Sequence, residues 1–137
     1  MRVEERFLHY VSFGTNSDPA SESCPSTPNQ LVLAGALVEE MKALGISDAH
    51  VDEHGYVYGT IPATPGCEKE PAIGFIAHMD TSSAAKGDEI QAKIVKDYDD
   101  GDILLNEEKQ IYLKPSEYGS LEQYAGQDLI VTDGTTL

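Results

Sequence analysis

The sequence has no tryptophan, three phenylalanines and only two cysteines among 137 residues. Cys24 and Cys67 stand singly in loop-like stretches, with no CxxC spacing, and two incidental thiols are expected rather than a disulfide, which a reducing cytosol disfavours. Basic residues are scarce as well. Nine Lys and Arg face 24 Asp and Glu, a formal net charge of -15. A surface of that sign repels nucleic acid and anionic lipid, so neither is expected as a partner. The acids are spread evenly, 12 in residues 1–80 and 12 in residues 81–137, which describes a solvated acidic surface rather than a tail. No apolar run is long enough to cross a bilayer, and Met1–Glu5 lacks the apolar stretch of a secretory signal. The expected location is cytoplasmic. No phosphate-binding glycine loop is present, and Ser82 and Ser83 have no nearby base of the triad kind, which leaves serine hydrolase chemistry without support.

What is present is patterned as α/β. Val3, Phe7, Leu8, Tyr10 and Val11 recur at helical spacing, predicting a short amphipathic helix over about 3–13. A Ser-, Pro-, Asn- and Thr-rich loop follows from Gly14 to Asn29. Thr27 as N-cap, Pro28 at the first helical position and Gln30 as the far side of a capping box predict a second helix from 28 to 44, ended by Gly45. Its apolar stripe is Leu31, Leu33, Ala34, Leu37, Val38, Met41 and Leu44. Ala49–Ile61 alternates as strand with a turn or bulge at Gly55. Ala72–Ala77 is apolar throughout, as expected of a central strand buried on both faces, and it ends at His78. Beyond residue 86 the pattern predicts a strand near 90–95, an acidic turn at 97–102, a hairpin from 103 to 113, a helical turn at 121–124 and a strand at 128–132. The resulting expectation is an α/β domain with a mixed sheet flanked by helices.

Chemistry concentrates at His78-Met79-Asp80-Thr81-Ser82, where the apolar run stops. Sites in open α/β sheets form at the carboxyl ends of strands. An imidazole there can ligate a metal through one nitrogen while a carboxylate two residues on holds the other, fixing the tautomer and raising ligand basicity. His-x-Asp by itself fits a hydrogen-bonded core histidine as well as a ligand. His50 and His54, four residues apart, fall in strand-like sequence and read as surface histidines, as does His9. The acids from Asp97 to Asp102 lack the glycine and glutamate spacing of a calcium loop and read as a solvated turn.

Ile73–Ser82 resembles the first metal-site motif of the paired-zinc aminopeptidases, carboxypeptidases and aminoacylases. Phe7–Ser12 and Ser26–Gln30 are similar to the opening of that family, and Gly126–Leu137 is similar to a segment of its tripeptide aminopeptidase branch. The resemblance implies a zinc-dependent aminopeptidase that releases the N-terminal residue of tripeptides, with two zincs per complete site. It implies that His78 is a zinc ligand and that Asp80 is the acidic residue orienting it. It also implies that residues 1–137 are the N-terminal portion of a catalytic domain. The bridging aspartate, the Glu-Glu pair with the general base, further ligands, and a lid domain that forms a homodimer would then lie beyond Leu137. On that reading this chain alone is inactive and holds zinc at most weakly. The alternatives are a non-catalytic truncated domain, or a piece of another peptidase or deacylase of the same superfamily.

Overall fold

The computed structural model describes residues 1–136 and divides into two compact units, one formed by Met1–Gly14 with Ser82–Leu137 and one by Thr15–Thr81. Leu137, the last residue of the Gly126–Leu137 resemblance, lies outside the described residues.

The unit spanning Thr15–Thr81 is built on α2 (Pro28–Ala43) and the hairpin of β1 (His50–Val51) and β2 (Val57–Tyr58), with α1 (Val3–Val11) belonging to the other unit. Pro28 starts α2, where its missing N–H costs nothing. The helix ends in a Schellman turn: Gly45 takes φ +95°, and the Ile46 amide donates to the Met41 carbonyl at 3.0 Å. The buried stripe is narrower than the sequence pattern, comprising Gln30, Leu33, Ala34 and Val38, while Leu31 and Leu44 are exposed. This face packs on β1 and β2. The hairpin turns through Gly55 at φ +85°, and Asp52 Oδ1 accepts from the amides of His54 and Tyr56 at 2.9 Å each. Gly59 is backed by Met41 and Ile46 so closely that a Cβ would collide with both.

Thr27 and Gln30 do not form the expected capping box. No side chain caps α2. The Thr27 hydroxyl donates instead to the Asn16 carbonyl at 2.9 Å, and Gln30 Nε2 donates towards the carbonyls of Thr15 and Asn16, each at 3.4 Å. Both side chains hold the preceding loop rather than the helix terminus.

In the other unit α1 is opened by Glu5, whose carboxylate accepts from the Arg2 amide at 2.7 Å. Glu4 and Glu5 sit in its first turn, where acids complement the helix dipole. Two antiparallel pairs follow: β3 (Lys93–Val95) with β6 (Leu129–Val131), and β4 (Ile103–Asn106) with β5 (Ile111–Leu113). A 3-10 helix covers Gly119–Tyr124. The core is Tyr98, Ile103 and Leu121, with Val95, Leu105, Leu113 and Leu129 packed around it. The acidic turn serves this core: the Tyr98 hydroxyl donates to the Gly101 carbonyl at 2.9 Å, and Asp99 Oδ1 accepts from the Gly101 amide at 3.2 Å. Asp128 ties β3 to β6 by pairing with Lys96 at 2.5 Å and accepting from the Asp97 amide at 3.1 Å. The Lys96 ammonium, then the amide, holds the Asp128 carboxyl below its usual range.

The architecture is thus mixed α/β, with helices where the sequence predicts them, but the expected extended sheet is not formed. Among the described residues six strands pair among themselves into three two-stranded sheets. Among the described residues none is left to flank residues 72–77, so the predicted central strand forms no regular secondary structure. Ile73 is 82%, Phe75 94% and Ile76 100% exposed. A strand buried on both faces needs a neighbour on each edge and a layer over each face; the apolar composition is there and those partners are not. The consequence is measurable. Phe75→Ala in this chain should change unfolding free energy by no more than about 0.5 kcal/mol, as at other surface positions. A buried Phe would cost about 3–5 kcal/mol. Urea unfolding of the two proteins distinguishes these outcomes.

Candidate metal-binding site

His78 and Asp80 lie just past residues 72–77, within the Thr15–Thr81 unit. Their side chains are 83% and 48% exposed. His78 Nδ1 is 2.7 Å from the Asp80 carbonyl oxygen and 3.1 Å from Asp80 Oδ1. A carbonyl and a carboxylate only accept, so the hydrogen bonds require the proton of the neutral ring to be on Nδ1. Nε2 is then left with its lone pair, the form in which an imidazole binds a metal.

Both residues line a cavity of about 870 Å³, walled mainly by apolar and aromatic side chains including Leu37, Met41, Tyr56, Tyr58 and Phe75. Cys24 and His54 reach the same cavity. His50 stacks on Tyr58 at 5.5 Å and His9 packs edge-on against Phe13 at 5.0 Å, and both are exposed, as the sequence suggested. Among the described residues no three His, Cys, Asp or Glu side chains converge into a group able to hold a metal ion. One prepared imidazole with an orienting carboxylate fits part of a zinc site, short of the three protein ligands of a catalytic zinc.

The anchor of this pair is a feature the sequence pattern does not expose. Thr81 forms an isolated parallel bridge with Asn16: its amide donates to the Thr15 carbonyl at 3.1 Å, and its carbonyl accepts from the Ser17 amide at 2.9 Å and the Ser17 hydroxyl at 3.0 Å. The only advance signal was Gln30, a polar residue on the apolar side of α2.

No family model matches the sequence. Curated proteins do. Over 134 residues, 97% of this chain, the sequence is 52% identical to peptidase T of Alkaliphilus oremlandii. The chain is homologous to peptidase T. Peptidase T of a Geobacillus strain is 49% identical over 135 residues, and that of Bacillus subtilis 47% identical over 136. In each case the match covers 33% of the relative, so the chain spans about a third of the length of the peptidase T proteins it resembles. The resemblance first carried by Ile73–Ser82 and Gly126–Leu137 therefore extends over almost every residue and is to peptidase T in particular.

Proposed function

We propose that this chain supplies part of the active site of a zinc-dependent aminopeptidase that removes the N-terminal residue of tripeptides, and that His78 is one of its metal ligands. The observation that carries the proposal is the His78–Asp80 geometry. Both contacts of Nδ1 are to acceptors, so the neutral ring keeps its lone pair on Nε2, and His78 lines a roomy cavity. Homology to peptidase T over 97% of the chain supports the choice of chemistry. In such a site Asp80 does not touch the metal. It holds the ring orientation and makes the imidazole a better donor. Zinc, when bound, supplies polarisation of the scissile carbonyl and a water acidic enough to deprotonate near neutrality. The largely apolar walls of the cavity offer surface on which a short peptide could rest. Homodimerisation and a second zinc belong to the same proposal, through residues other than these.

The test is a chimaera in which this chain replaces the matching segment of the Alkaliphilus oremlandii peptidase T. If the chain carries that part of the site, the chimaera binds zinc and hydrolyses a tripeptide from its N-terminus. A folded chimaera that binds zinc like the parent and hydrolyses no tripeptide would overturn the proposal.

A further inference from the structure

We propose that Gln30, assisted by Thr27, is a positioning residue for His78, acting through the backbone of residues 15–17 and 81. The inference rests on the reading of His78 as a metal ligand. Gln30 is 7% exposed, one of two buried polar residues of the chain among those described, and the other is Thr15, to which it bonds. A buried amide is costly unless its donors are used. Gln30 Nε2 faces three acceptors: the Thr15 and Asn16 carbonyls at 3.4 Å and Ser26 Oγ at 3.2 Å. Thr27 adds a hydroxyl donor to the Asn16 carbonyl at 2.9 Å. The first turn of α2 thus grips both peptide carbonyls of the 15–16 stretch, and Pro28 and the helix hydrogen bonds make that turn rigid.

The gripped stretch is the partner of Thr81. The Thr15 carbonyl receives the Thr81 amide, and Ser17 closes on the Thr81 carbonyl with both its amide and its hydroxyl. Thr81 is covalently next to Asp80, whose carbonyl and carboxylate both hold His78 Nδ1. On the other side residues 71–80 belong to no helix or strand and, among the described residues, pair with none, so the imidazole takes its placement from the Thr81 end. An unbranched apolar residue at position 30 would bury equally well. The amide is what connects α2 to the loop.

Gln30→Met keeps the side-chain length and removes the donors; Thr27→Val keeps the shape and removes the hydroxyl. Both variants of the 137-residue chain are compared with the parent by nuclear magnetic resonance in mildly alkaline solution. Gln30→Met should speed amide exchange at Ser17 and Thr81 about five- to tenfold, the effect of losing a hydrogen bond in a local anchor. The His78 ring should pass from the Nδ1–H tautomer to a mixture, while amides in the second half of α2 and in β3 and β6 exchange as in the parent. Thr27→Val should move the same signals in the same direction by less, which keeps the test decisive if Gln30→Met unfolds the unit. An unchanged His78 tautomer with unchanged Ser17 and Thr81 exchange overturns the proposal, as does uniform acceleration throughout the Thr15–Thr81 unit in Thr27→Val. Zinc chloride is then added to the parent. Zinc that shifts His78 Nε2 supports the metal reading; zinc that leaves His78 unmoved, while its tautomer still responds to Gln30→Met, overturns that reading and leaves the positioning role standing.

Discussion

Replacing His78 by alanine in the chimaera with the Alkaliphilus oremlandii relative is expected to abolish tripeptide turnover and to lower its zinc content. The reason is the chemistry of the ligand rather than the stability of the fold. The His78 side chain is 83% exposed and contacts only Asp80 among its hydrogen-bond partners. Its removal should cost no more than about 0.5 kcal/mol of folding free energy, as at other surface sites. A catalytic zinc held by three protein ligands that loses one loses the geometry that keeps its water acidic, and the nucleophile with it. Asp80→Ala is expected to be milder. The imidazole remains but its tautomer and orientation are no longer fixed, and zinc affinity should fall roughly 10–100-fold. The two substitutions therefore separate on one plot of activity against added zinc. Asp80→Ala recovers turnover as zinc is raised, and His78→Ala does not. Parental zinc content and turnover in His78→Ala would remove His78 from the site.

How much of this could be read from the sequence differs by element, and the differences have physical causes. Features set by neighbours in the chain were legible. Pro28 and Gly45 bracket α2, Gly55 marks the β1–β2 turn, and residues 107–110 separate β4 from β5, because capping and turn geometry depend on a few adjacent residues. The pairing of β3 with β6 spans over thirty residues and was not predicted, although both strands were. Ala72–Ala77 failed for a related reason. Apolar composition states that a segment suits a buried strand; whether neighbours exist to bury it is a property of the rest of the fold. At the candidate site, His78 and Asp80 were singled out from their spacing, and the structure places their side chains in contact. That their anchor runs through Thr81 to Gln30 was hidden, because Thr27 and Gln30 fit a capping box equally well and only the path of residues 15–17 decides between the two uses. Backbone carbonyls as partners leave no trace in residue identity.

The 137-residue chain alone, supplied with zinc, is expected to hydrolyse tripeptide no faster than buffer and to bind the metal weakly. Zinc at a catalytic site takes three protein ligands and keeps a fourth position for water. In this chain His78 is the one ligand proposed, and among the described residues no three His, Cys, Asp or Glu side chains come together. A single imidazole leaves the rest of the coordination shell to solvent, so the metal exchanges rapidly and a bound water gains little acidity from it. Cys24 and His54 line the same cavity as His78, and they are the residues that would have to contribute if the expectation is wrong. Zinc binding followed by calorimetry, with tripeptide turnover assayed on the same sample beside a full-length peptidase T, decides the matter. Tight binding that survives Cys24→Ser and His54→Ala, together with turnover near that of the full-length enzyme, would mean that the site is complete within these residues and that its other ligands have been misassigned. Tight binding lost in those two variants, without turnover, would show a metal site in the cavity that does no peptidase chemistry. Weak binding with shifts confined to His78 and Asp80, and no turnover, is the expected result.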